Sequence, residues 1–552
     1  MKDDFHSKLA ELLLPDVRLS PLDIAKRYPL RELPQGAMVT RFAPSPTGFV
    51  HMGGLFAALI SERLARQSGG LFYLRIEDTD WKREVKGSIP QILKSLDYFG
   101  IDFDEGETGS GEEKGLYGPY RQSLRRELYR TYAKELILNG LAYPCFCTGE
   151  ALDALRTAQK AEKQLTGYYG NWASCRELSP DEVNKALLMG KPFVLRLKSP
   201  GNPEKKISFQ DLVKGDITMP ENGQDIVLLK SDGLPTYHFA HAVDDHLMGT
   251  THVFRGDEWL SSVPVHIQLY EVLGWKPPLY GHISPIMKMD GTSKRKFSKR
   301  KDPEFAASWY QQQGYWGYGV REYLLGLANS DFEGWRSQYP DSPQDLFRLN
   351  LEKMSSSGPL FDLDKFNNIN RNVLASLNAR EAYEALKGWA ADNDPAFYEL
   401  IDGYKDYTIA ILAIGRGTDK PRKEFAKWSE IKPAMSYFYD ALYENTLSPH
   451  LLPSSVNEVI WKEILQLYLD TSGKQEDNSA WFDRLKAISQ AVGLAPDMKT
   501  YRKNPEIYKG HVGDVAMVIR VALTGRTQTP DLFDIIRVMG EKRVRDRLAR
   551  LL

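Results

Sequence analysis

The stretch at residues 41–54 combines one imidazole with several prolines and glycines, Arg-Phe-Ala-Pro-Ser-Pro-Thr-Gly-Phe-Val-His-Met-Gly-Gly. The pattern predicts a strand through residues 38–40, then a turn, then a helix that opens at Gly53. Glycines let the backbone and a helix N-terminus approach a polyphosphate, where the helix dipole favours negative charge. His51 stands where it can donate a hydrogen bond to a phosphate oxygen. The stretch therefore predicts a nucleotide-binding site, although a histidine before two glycines also occurs in ordinary loops.

A second candidate for phosphate chemistry is the basic run at residues 288–301, Lys-Met-Asp-Gly-Thr-Ser-Lys-Arg-Lys-Phe-Ser-Lys-Arg-Lys. Runs of like charge more often form a solvated face than an active site. The Asp-Gly pair inside the run predicts a turn, and the run follows a strand that ends at Arg255, so we expect a mobile loop. Lys294 and Lys299 both stand in a Ser-Lys-Arg triplet, so the register of the reactive lysine stays open.

The cysteines of the chain are Cys145, Cys147 and Cys175. Two thiols one residue apart cannot readily form a disulfide with each other, but they can share a soft metal ion with a third thiol. So few cysteines suit a reducing cytoplasm. The spacing predicts a site for a soft metal ion, and plain free thiols are the alternative.

Strands and helices must alternate to position these residues. A strand at residues 71–76 is followed by helices at 88–99 and 121–138, which predicts a doubly wound parallel sheet. Two short helices are expected before residue 36, with Ser20 and Pro21 at the start of the second.

Beyond residue 138 the pattern changes twice. A segment rich in cysteine, glycine and proline at residues 138–225 interrupts it, and the sheet is expected to resume with strands at 225–230 and 252–255. From about residue 303, aromatic residues and leucine recur at three- and four-residue spacing, which predicts helices. Loops are expected at residues 415–418 and 470–478.

Length and charge limit the class of protein. A chain of 552 residues is expected to form several domains. The net charge of −1 argues against a generally basic nucleic-acid coat, although local basic surfaces can bind RNA. The acidic start Met-Lys-Asp-Asp-Phe is unlike a secretory signal, and no apolar run approaches the length of a membrane span. We expect a cytoplasmic protein with no membrane partner.

Residues 41–54, followed by Gly-Gly-Leu-Phe-Tyr-Leu-Arg-Ile-Glu-Asp-Thr-Asp at 69–80, resemble the first half of the catalytic domain of bacterial glutamyl-tRNA synthetases, which are class I enzymes. His-Met-Gly-Gly at 51–54 is similar to the HIGH-type motif of that family. Lys-Phe-Ser-Lys-Arg at 296–300 resembles its KMSKS-type signature, with phenylalanine for leucine. Residues 231–259 resemble the family's substrate wall.

The resemblance implies a role for individual residues. His51 and Lys299 would be catalytic, with Lys299 stabilising negative charge on the transferring phosphates. Arg41 and Arg255 would hold the glutamate side-chain carboxylate, with Tyr237 as a hydroxyl donor, because a buried carboxylate needs cations. The remaining implied contacts are Ser45 and Glu77 to the α-amino group, His241 near the α-carboxylate, and Gly53, Gly54, Glu258 and Ser298 with His51 and Lys299 to ATP. For His241, a packed helix histidine is the alternative.

The resemblance also bears on the metal. Many bacterial members bind zinc at this place through three cysteines and a tyrosine or histidine two residues beyond the third. Here that position is Glu177, so Glu177 and Tyr168 are both candidates for the fourth ligand beside Cys145, Cys147 and Cys175.

The implied fold is a class I synthetase Rossmann-type doubly wound parallel sheet with an inserted acceptor-binding domain, followed by an all-α C-terminal half. An N-terminal helical extension (1–36), which the family does not require, precedes the implied domains. These are the two catalytic halves (37–137 and 226–302), the acceptor-arm insertion (138–225), a stem-contact domain (303–380) and an anticodon-binding domain (381–552).

The implied activity is ligation of L-glutamate to tRNA-Glu by a monomer, with ATP and Mg²⁺ and a possible structural Zn²⁺. The alternatives are an enzyme that also charges tRNA-Gln, a nucleotidyltransferase of the same superfamily, and a non-catalytic tRNA-binding relative.

Overall fold

A computed structural model describes residues 2–109, 111–418, 420–443, 447–471 and 476–552. The loop predicted at residues 470–478 therefore lies partly outside the described residues. The chain forms two compact units, which we call the first and the second unit. The first unit comprises Met1–Tyr310 and Val320–Leu363, and the second comprises Gln311–Gly319 and Asp364–Leu552.

Within the described residues, the strands all belong to the first unit. They are β1 (Val39–Phe42), β2 (Leu71–Leu74), β3 (Gly106–Gly109), β4 (Glu112–Lys114), β5 (Ala142–Cys145), β6 (Val194–Leu197), β7 (Lys206–Asp211), β8 (Gly215–Pro220), β9 (Val227–Leu229), β10 (His252–Gly256), β11 (Leu279–Ile283), β12 (Met287–Asp290) and β13 (Ser293–Lys296).

The helices up to residue 338 connect these strands and continue beyond them. They are α1 (Lys2–Leu13), α2 (Pro21–Arg27), α3 (Met52–Gln67), α4 (Ser88–Tyr98), α5 (Arg126–Leu138), α6 (Gly149–Ala161), α7 (Pro180–Leu188), α8 (Tyr237–Leu247), α9 (Val263–Val272), α10 (Ala307–Gln313), α11 (Gly317–Ala328) and α12 (Phe332–Gln338).

The second unit is built from helices. They are α13 (Leu363–Ser376), α14 (Ala379–Asn393), α15 (Pro395–Gly403), α16 (Lys405–Ala413), α17 (Ile431–Met435), α18 (Glu458–Thr471), α19 (Asn478–Ala491), α20 (Met498–Lys503), α21 (Val512–Thr524), α22 (Leu532–Met539) and α23 (Glu541–Ala549). Their apolar faces share one core, in which Trp428, Leu485 and Ile519 are buried. The prediction of a helical C-terminal half is confirmed.

The parallel pairs β1–β2 and β10–β11 form the sheet that the sequence predicts. Val39 lies opposite Leu71, and Arg255 lies opposite His282. The backbone N–H of Thr251, just before β10, donates to the carbonyl of Val39 at 3.0 Å and links the two pairs. Strands with helices between them and parallel neighbours confirm the predicted doubly wound sheet.

The partners of two segments differ from the prediction. The strand expected at residues 225–230 forms as β9, but it pairs antiparallel with β6 in the sheet β5–β6–β9, so its assignment to the resumed parallel sheet is wrong. Conversely, the hairpin β7–β8 comes from the segment predicted as an insertion, yet β7 pairs with β11. A local apolar pattern indicates a strand and leaves its partner open, because pairing depends on residues distant in sequence.

The two predicted N-terminal helices are present. Ser20 caps α2, with Pro21 at its first position and a reciprocal hydrogen bond between Ser20 and Asp23. Leu9 and Leu13 of α1 pack in the same core as residues of α5. The extension is therefore part of the first unit's core. Among the helices that the structure describes, none combines the length and apolar character that a membrane crossing would require.

Candidate active site

A cavity of about 1220 Å³ lies where β1, β2, β10 and β11 end. Ligands of open parallel sheets bind at this edge, beyond the carboxyl ends of the strands. The residues from the sequence predictions that line the cavity are Arg41, Ser45, His51, Gly53, Gly54, Glu77, Tyr237, Arg255, Glu258, Ser298 and Lys299. The fold thus brings together residues that are up to 258 positions apart in the chain, from Arg41 to Lys299.

His51 both begins α3 and lines the cavity. Its Nδ1 accepts a hydrogen bond from the backbone N–H of Gly54 at 3.0 Å, so it is the N-cap of the helix. A neutral ring that accepts at Nδ1 carries its proton on Nε2, which leaves an N–H donor for a ligand. Desolvation lowers the pKa of His51, while the carboxylate of Glu258 opposes that shift. A Cβ at Gly53 would lie only 3.2 Å from Nδ1, so glycine allows this close packing.

Arg41 and Glu77 are held from behind by a buried network. The Nε of Arg41 lies 3.3 Å from a carboxylate oxygen of Asp245. Arg75 donates to Asp245 at 2.5 Å and to Glu77 at 3.1 Å. Burial disfavours the charge of Arg41, but Asp245 together with Tyr237 and Tyr73 outweighs burial, and the pKa of Arg41 lies above its ordinary value. Burial raises the pKa of Glu77, against the opposing charges of Arg75 and Arg41.

The same network continues through Asp244, the neighbour of Asp245 on α8. Asp244 receives hydrogen bonds from Arg125 at 2.6 Å, from Tyr129 at 2.8 Å and from Gln122 at 2.8 Å. Each acidic group in this buried region therefore has donors, as burial of charge requires. The network fixes the direction in which Arg41 and Glu77 enter the cavity.

Arg255 has a different environment. Its side chain is only 6% exposed, yet no carboxylate among the described residues lies within 4.0 Å of it. Its hydrogen-bond partners are Tyr237 at 3.3 Å, His282 at 3.1 Å and His266 at 3.1 Å. Burial lowers the pKa of both histidines, so these partners are neutral. The positive charge of Arg255 is left uncompensated at the cavity wall.

His241 is the one predicted substrate contact that does not line the cavity. It is fully buried in α8, with Nδ1 2.8 Å from Asp245 and Nε2 3.1 Å from the hydroxyl of Tyr280. Burial lowers the pKa of His241 to about 3. The structure therefore places it as a packed helix histidine that supports Asp245.

The basic run folds into the hairpin β12–β13 and a following turn. Arg295 makes a two-pronged ion pair with Asp302 at 2.6 and 2.7 Å, and the buried ring of Phe297 packs on Phe361. These contacts fix both ends of the turn that carries Lys299. Lys299 lines the cavity, whereas Lys294 lies on β13 and is not among the lining residues.

The three cysteine sulfurs all lie within 4.8 Å of one another, and those of Cys147 and Cys175 are 3.7 Å apart. The hydroxyl of Tyr168 lies 3.3 Å from the Cys147 sulfur. This donor set fits a soft, tetrahedral metal ion. Glu177 is not part of the cluster, because its exposed carboxylate pairs with Lys198 at 2.9 Å. The geometry thus favours Tyr168 over Glu177 as the group nearest the thiols.

Several buried residues that support the site were not predicted from the sequence. Arg75, Asp211 and His282 are buried charged or ionisable groups inside strands or at strand ends, where an apolar side chain is expected. Buried ionisable residues within apolar strands are the pattern that could have identified them. Their partners lie on other elements and become visible only in the folded chain.

Comparison with known proteins agrees with this geometry. Residues 37–334 match the model of the family described as tRNA synthetases class I (E and Q), catalytic domain, and residues 424–552 match an anticodon binding domain. A glutamate–tRNA ligase of Clostridium perfringens (strain SM101 / Type A) is 49% identical over 548 residues, which cover 99% of each chain. Another, from Acetivibrio thermocellus, is 48% identical over 550 residues, which cover 99% of this chain and 100% of that one.

Solved structures give the same result. The crystal structure of a glutamate–tRNA synthetase from Elizabethkingia anophelis superposes with a TM-score of 0.69 at 28% identity, over 93% of this chain and 99% of that chain. With its strand, turn and helix at residues 39–67, its basic loop and its parallel sheet, the chain belongs to the class I tRNA synthetases of this family. Its full-length relatives carry the name glutamate–tRNA ligase.

Proposed function

We propose that this chain is a glutamate–tRNA ligase, which activates L-glutamate with ATP and transfers the glutamyl group to the 3′ end of tRNA-Glu. The assignment of glutamate as the amino acid rests on Arg255, which is a buried cation whose hydrogen-bond partners are all neutral. A buried charge without a counterion is strongly unfavourable, so this wall favours an anionic substrate group. The side-chain carboxylate of glutamate supplies that charge. The amide of glutamine does not, and it should be rejected.

The other amino-acid contacts follow from the lining of the cavity. Arg41 stands beside the same wall, with its direction fixed by Asp245. Tyr237 adds a hydroxyl donor next to Arg255. Ser45 and Glu77 would hold the α-amino group, since Glu77 is the carboxylate of this set that lines the cavity.

The nucleotide would lie at the start of α3. His51 presents its Nε2–H there, and Gly53 and Gly54 let phosphate oxygens approach the helix N-terminus. Lys299 and Ser298 line the same cavity from the basic turn, and Glu258 lines it from the end of β10. Mg²⁺ would accompany the phosphates, and the carboxylate of Glu258 is an oxygen ligand of the kind that it prefers.

The reaction has two steps. An oxygen of the glutamate α-carboxylate attacks the α-phosphorus of ATP, the bond to the bridging oxygen breaks, and pyrophosphate leaves with that electron pair. The 2′-hydroxyl of the terminal adenosine then attacks the carbonyl carbon of the adenylate and releases AMP. The protein contributes mainly positioning and electrostatic stabilisation. Lys299 and His51 would stabilise the negative charge that develops on the phosphates.

The rest of the chain would bind the tRNA. We assign residues 138–225 to the acceptor arm, with zinc on Cys145, Cys147 and Cys175 as a structural ion. Residues 303–380 would contact the stem, and residues 381–552 would bind the anticodon. A cytoplasmic monomer remains our prediction.

The presence of both His51 and Lys299 in the cavity lining argues against a non-catalytic tRNA-binding relative. A small-molecule nucleotidyltransferase would have no use for the separate helical unit.

The test is aminoacylation with purified full-length protein and transcripts of tRNA-Glu and tRNA-Gln. Each transcript is offered radiolabelled glutamate and, separately, glutamine. We expect glutamate on tRNA-Glu and no glutamine on either transcript. Glutamate on both transcripts identifies the non-discriminating form, whereas no aminoacylation at all rejects the proposed function.

A further inference from the structure

Arg255 is connected to a carboxylate through an imidazole. Because Arg255 and His282 are partners in the register of β10 and β11, their side chains lie side by side on one face of the sheet. The Nε of Arg255 donates to Nε2 of His282 at 3.1 Å, and Nδ1 of His282 lies 2.6 Å from a carboxylate oxygen of Asp211. Asp211 and His282 are 2% and 0% exposed.

The direction of each proton follows from the donor set of arginine. A guanidinium only donates, so Nε2 of His282 must accept and the ring proton must be on Nδ1, which donates to Asp211. Asp211 also accepts the backbone N–H groups of Val213 and Lys214 at 3.0 and 2.8 Å. Burial raises the pKa of Asp211, but its hydrogen bonds outweigh burial and the pKa lies below its ordinary value.

The same reasoning applies to the other side of the guanidinium. Nδ1 of His266 accepts from Arg255, so the proton of His266 is on Nε2, where it can donate to Nδ1 of His238 at 3.0 Å. Arg255 is thus held at three nitrogens, by His282, His266 and Tyr237. A carboxylate in direct contact would orient Arg255 equally well but would also neutralise it.

We propose that Asp211 and His282 are positioning residues for the amino-acid substrate, which orient Arg255 while leaving its positive charge free for the substrate's side-chain carboxylate. This inference rests on the proposed function, because it concerns the substrate that Arg255 binds. Asp211 lies on the hairpin β7–β8, so this hairpin contributes to amino-acid selection as well as to the sheet.

The test compares His282→Leu with His282→Gln in the full-length protein. Leucine removes both hydrogen bonds, whereas glutamine retains an acceptor for Arg255 and a donor for Asp211. We expect His282→Leu to raise the KM for glutamate by about 10- to 100-fold, as for groups that orient a metal-binding histidine. The KM for ATP should stay unchanged, kcat should fall much less than the glutamate KM rises, and His282→Gln should recover most of the loss.

Asp211→Asn is the second variant, and it should raise the glutamate KM in the same direction. Asp216→Asn is its matched control, because Asp216 is exposed on the same hairpin and the change removes the same charge. If His282→Leu does not fold, the glutamate KM of Asp211→Asn compared with that of Asp216→Asn tests the positioning role.

A wild-type glutamate KM in folded His282→Leu, or in Asp211→Asn, overturns the inference while the proposed function stands. Equal losses in the KM for glutamate and for ATP also overturn it, since a general structural defect has that effect. Wild-type protein that does not use glutamate rejects the proposed function itself and, with it, this inference.

Discussion

The guanidinium Nε of Arg41 lies 3.3 Å from the carboxylate of Asp245, and both side chains are buried. The carboxylate of Asp245 also contacts the side chains of Arg75 and His241. Arg41 is therefore part of a compensated network before any substrate binds, whereas Arg255 is not. Arg41 and Arg255 consequently differ in what their loss would cost.

Arg255→Gln should weaken the use of glutamate without a comparable loss of stability, because no buried carboxylate loses its partner. Removing one member of a buried charge pair with substrate costs about 2–5 kcal/mol, which is roughly 30-fold to several thousand-fold in kcat/KM. Steady-state kinetics with glutamate and ATP varied separately measures the effect. Arg41→Gln should lower the thermal midpoint as well, because Asp245 loses a donor. Equal thermal losses in both variants would contradict the distinction.

Lys299→Ala should lower the rate of adenylate formation by about 100- to 1000-fold, because its charge acts on the phosphates chiefly in the transition state. Binding of tRNA should change little. The measurement is single-turnover formation of glutamyl-adenylate in the presence of tRNA. Lys294→Ala is the control, since Lys294 lies on β13 and does not line the cavity. A large loss of adenylate formation in Lys294→Ala, with normal turnover in Lys299→Ala, would show that Lys294 is the reactive lysine.

His51 serves as helix cap and as ligand donor, and two substitutions separate these roles. His51→Asn keeps a good N-cap but removes the Nε2–H donor, while His51→Ala removes both. We expect kcat/KM for ATP to fall in both variants. Only His51→Ala should also lose about 1 kcal/mol of stability. Thermal unfolding and steady-state kinetics of the same variants separate the capping role from the ligand-donor role. A fully active His51→Asn would show that the Nε2–H donor is not needed.

The cysteine cluster should bind one equivalent of zinc, and the zinc should be lost in Cys145→Ser because a thiolate ligand is missing. Glu177→Gln is the control, and it should retain the zinc because Glu177 pairs with Lys198 instead of facing the thiols. Metal content of freshly purified protein decides both points. Metal-free wild-type protein with ordinary activity would contradict a zinc site. Loss of zinc from Glu177→Gln would show that Glu177 is a ligand.

Histidines whose pKa is lowered in the folded chain should make stability depend on pH. The side chain of His246 is exposed, but it stacks on Trp275, and the partial loss of water around its ring lowers its pKa to about 4. The unfolded side chain has a pKa of about 6.5, so between these values the unfolded chain binds a proton that the folded chain does not. Stability from this residue is complete above about pH 6.5 and falls as the pH decreases towards 4, by an amount that solvent screening of the exposed ring keeps small.

Urea unfolding of wild type and His246→Gln at pH 7, 6 and 5 measures this contribution. Glutamine has no titration in this range, so the variant should lose less stability on acidification than the wild type. Parallel pH profiles of the two proteins would contradict the lowered pKa. The comparison of slopes is independent of any constant loss from the missing ring stack.

Much of the site was predictable because its signals are local. The turn from Arg41 to Gly54 needs glycines, a cap and a following helix, and all of these are adjacent in sequence. The basic loop is likewise a continuous run, and its resemblance to a known motif selects Lys299. Helices α2 and α3 begin where their capping residues stand.

The sequence alone determined the family resemblance, the alternation of strands and helices, and the residue types available for phosphate and carboxylate binding. The tertiary structure decided the pairing of β7 with β11 and of β9 with β6, the burial of His241, and the distance of Glu177 from the thiols. It also decided that Arg255 meets His282 and, through it, Asp211. These outcomes depend on which distant segments share a core and on the burial of charge there, and the energy of a buried charge is set by its spatial neighbours.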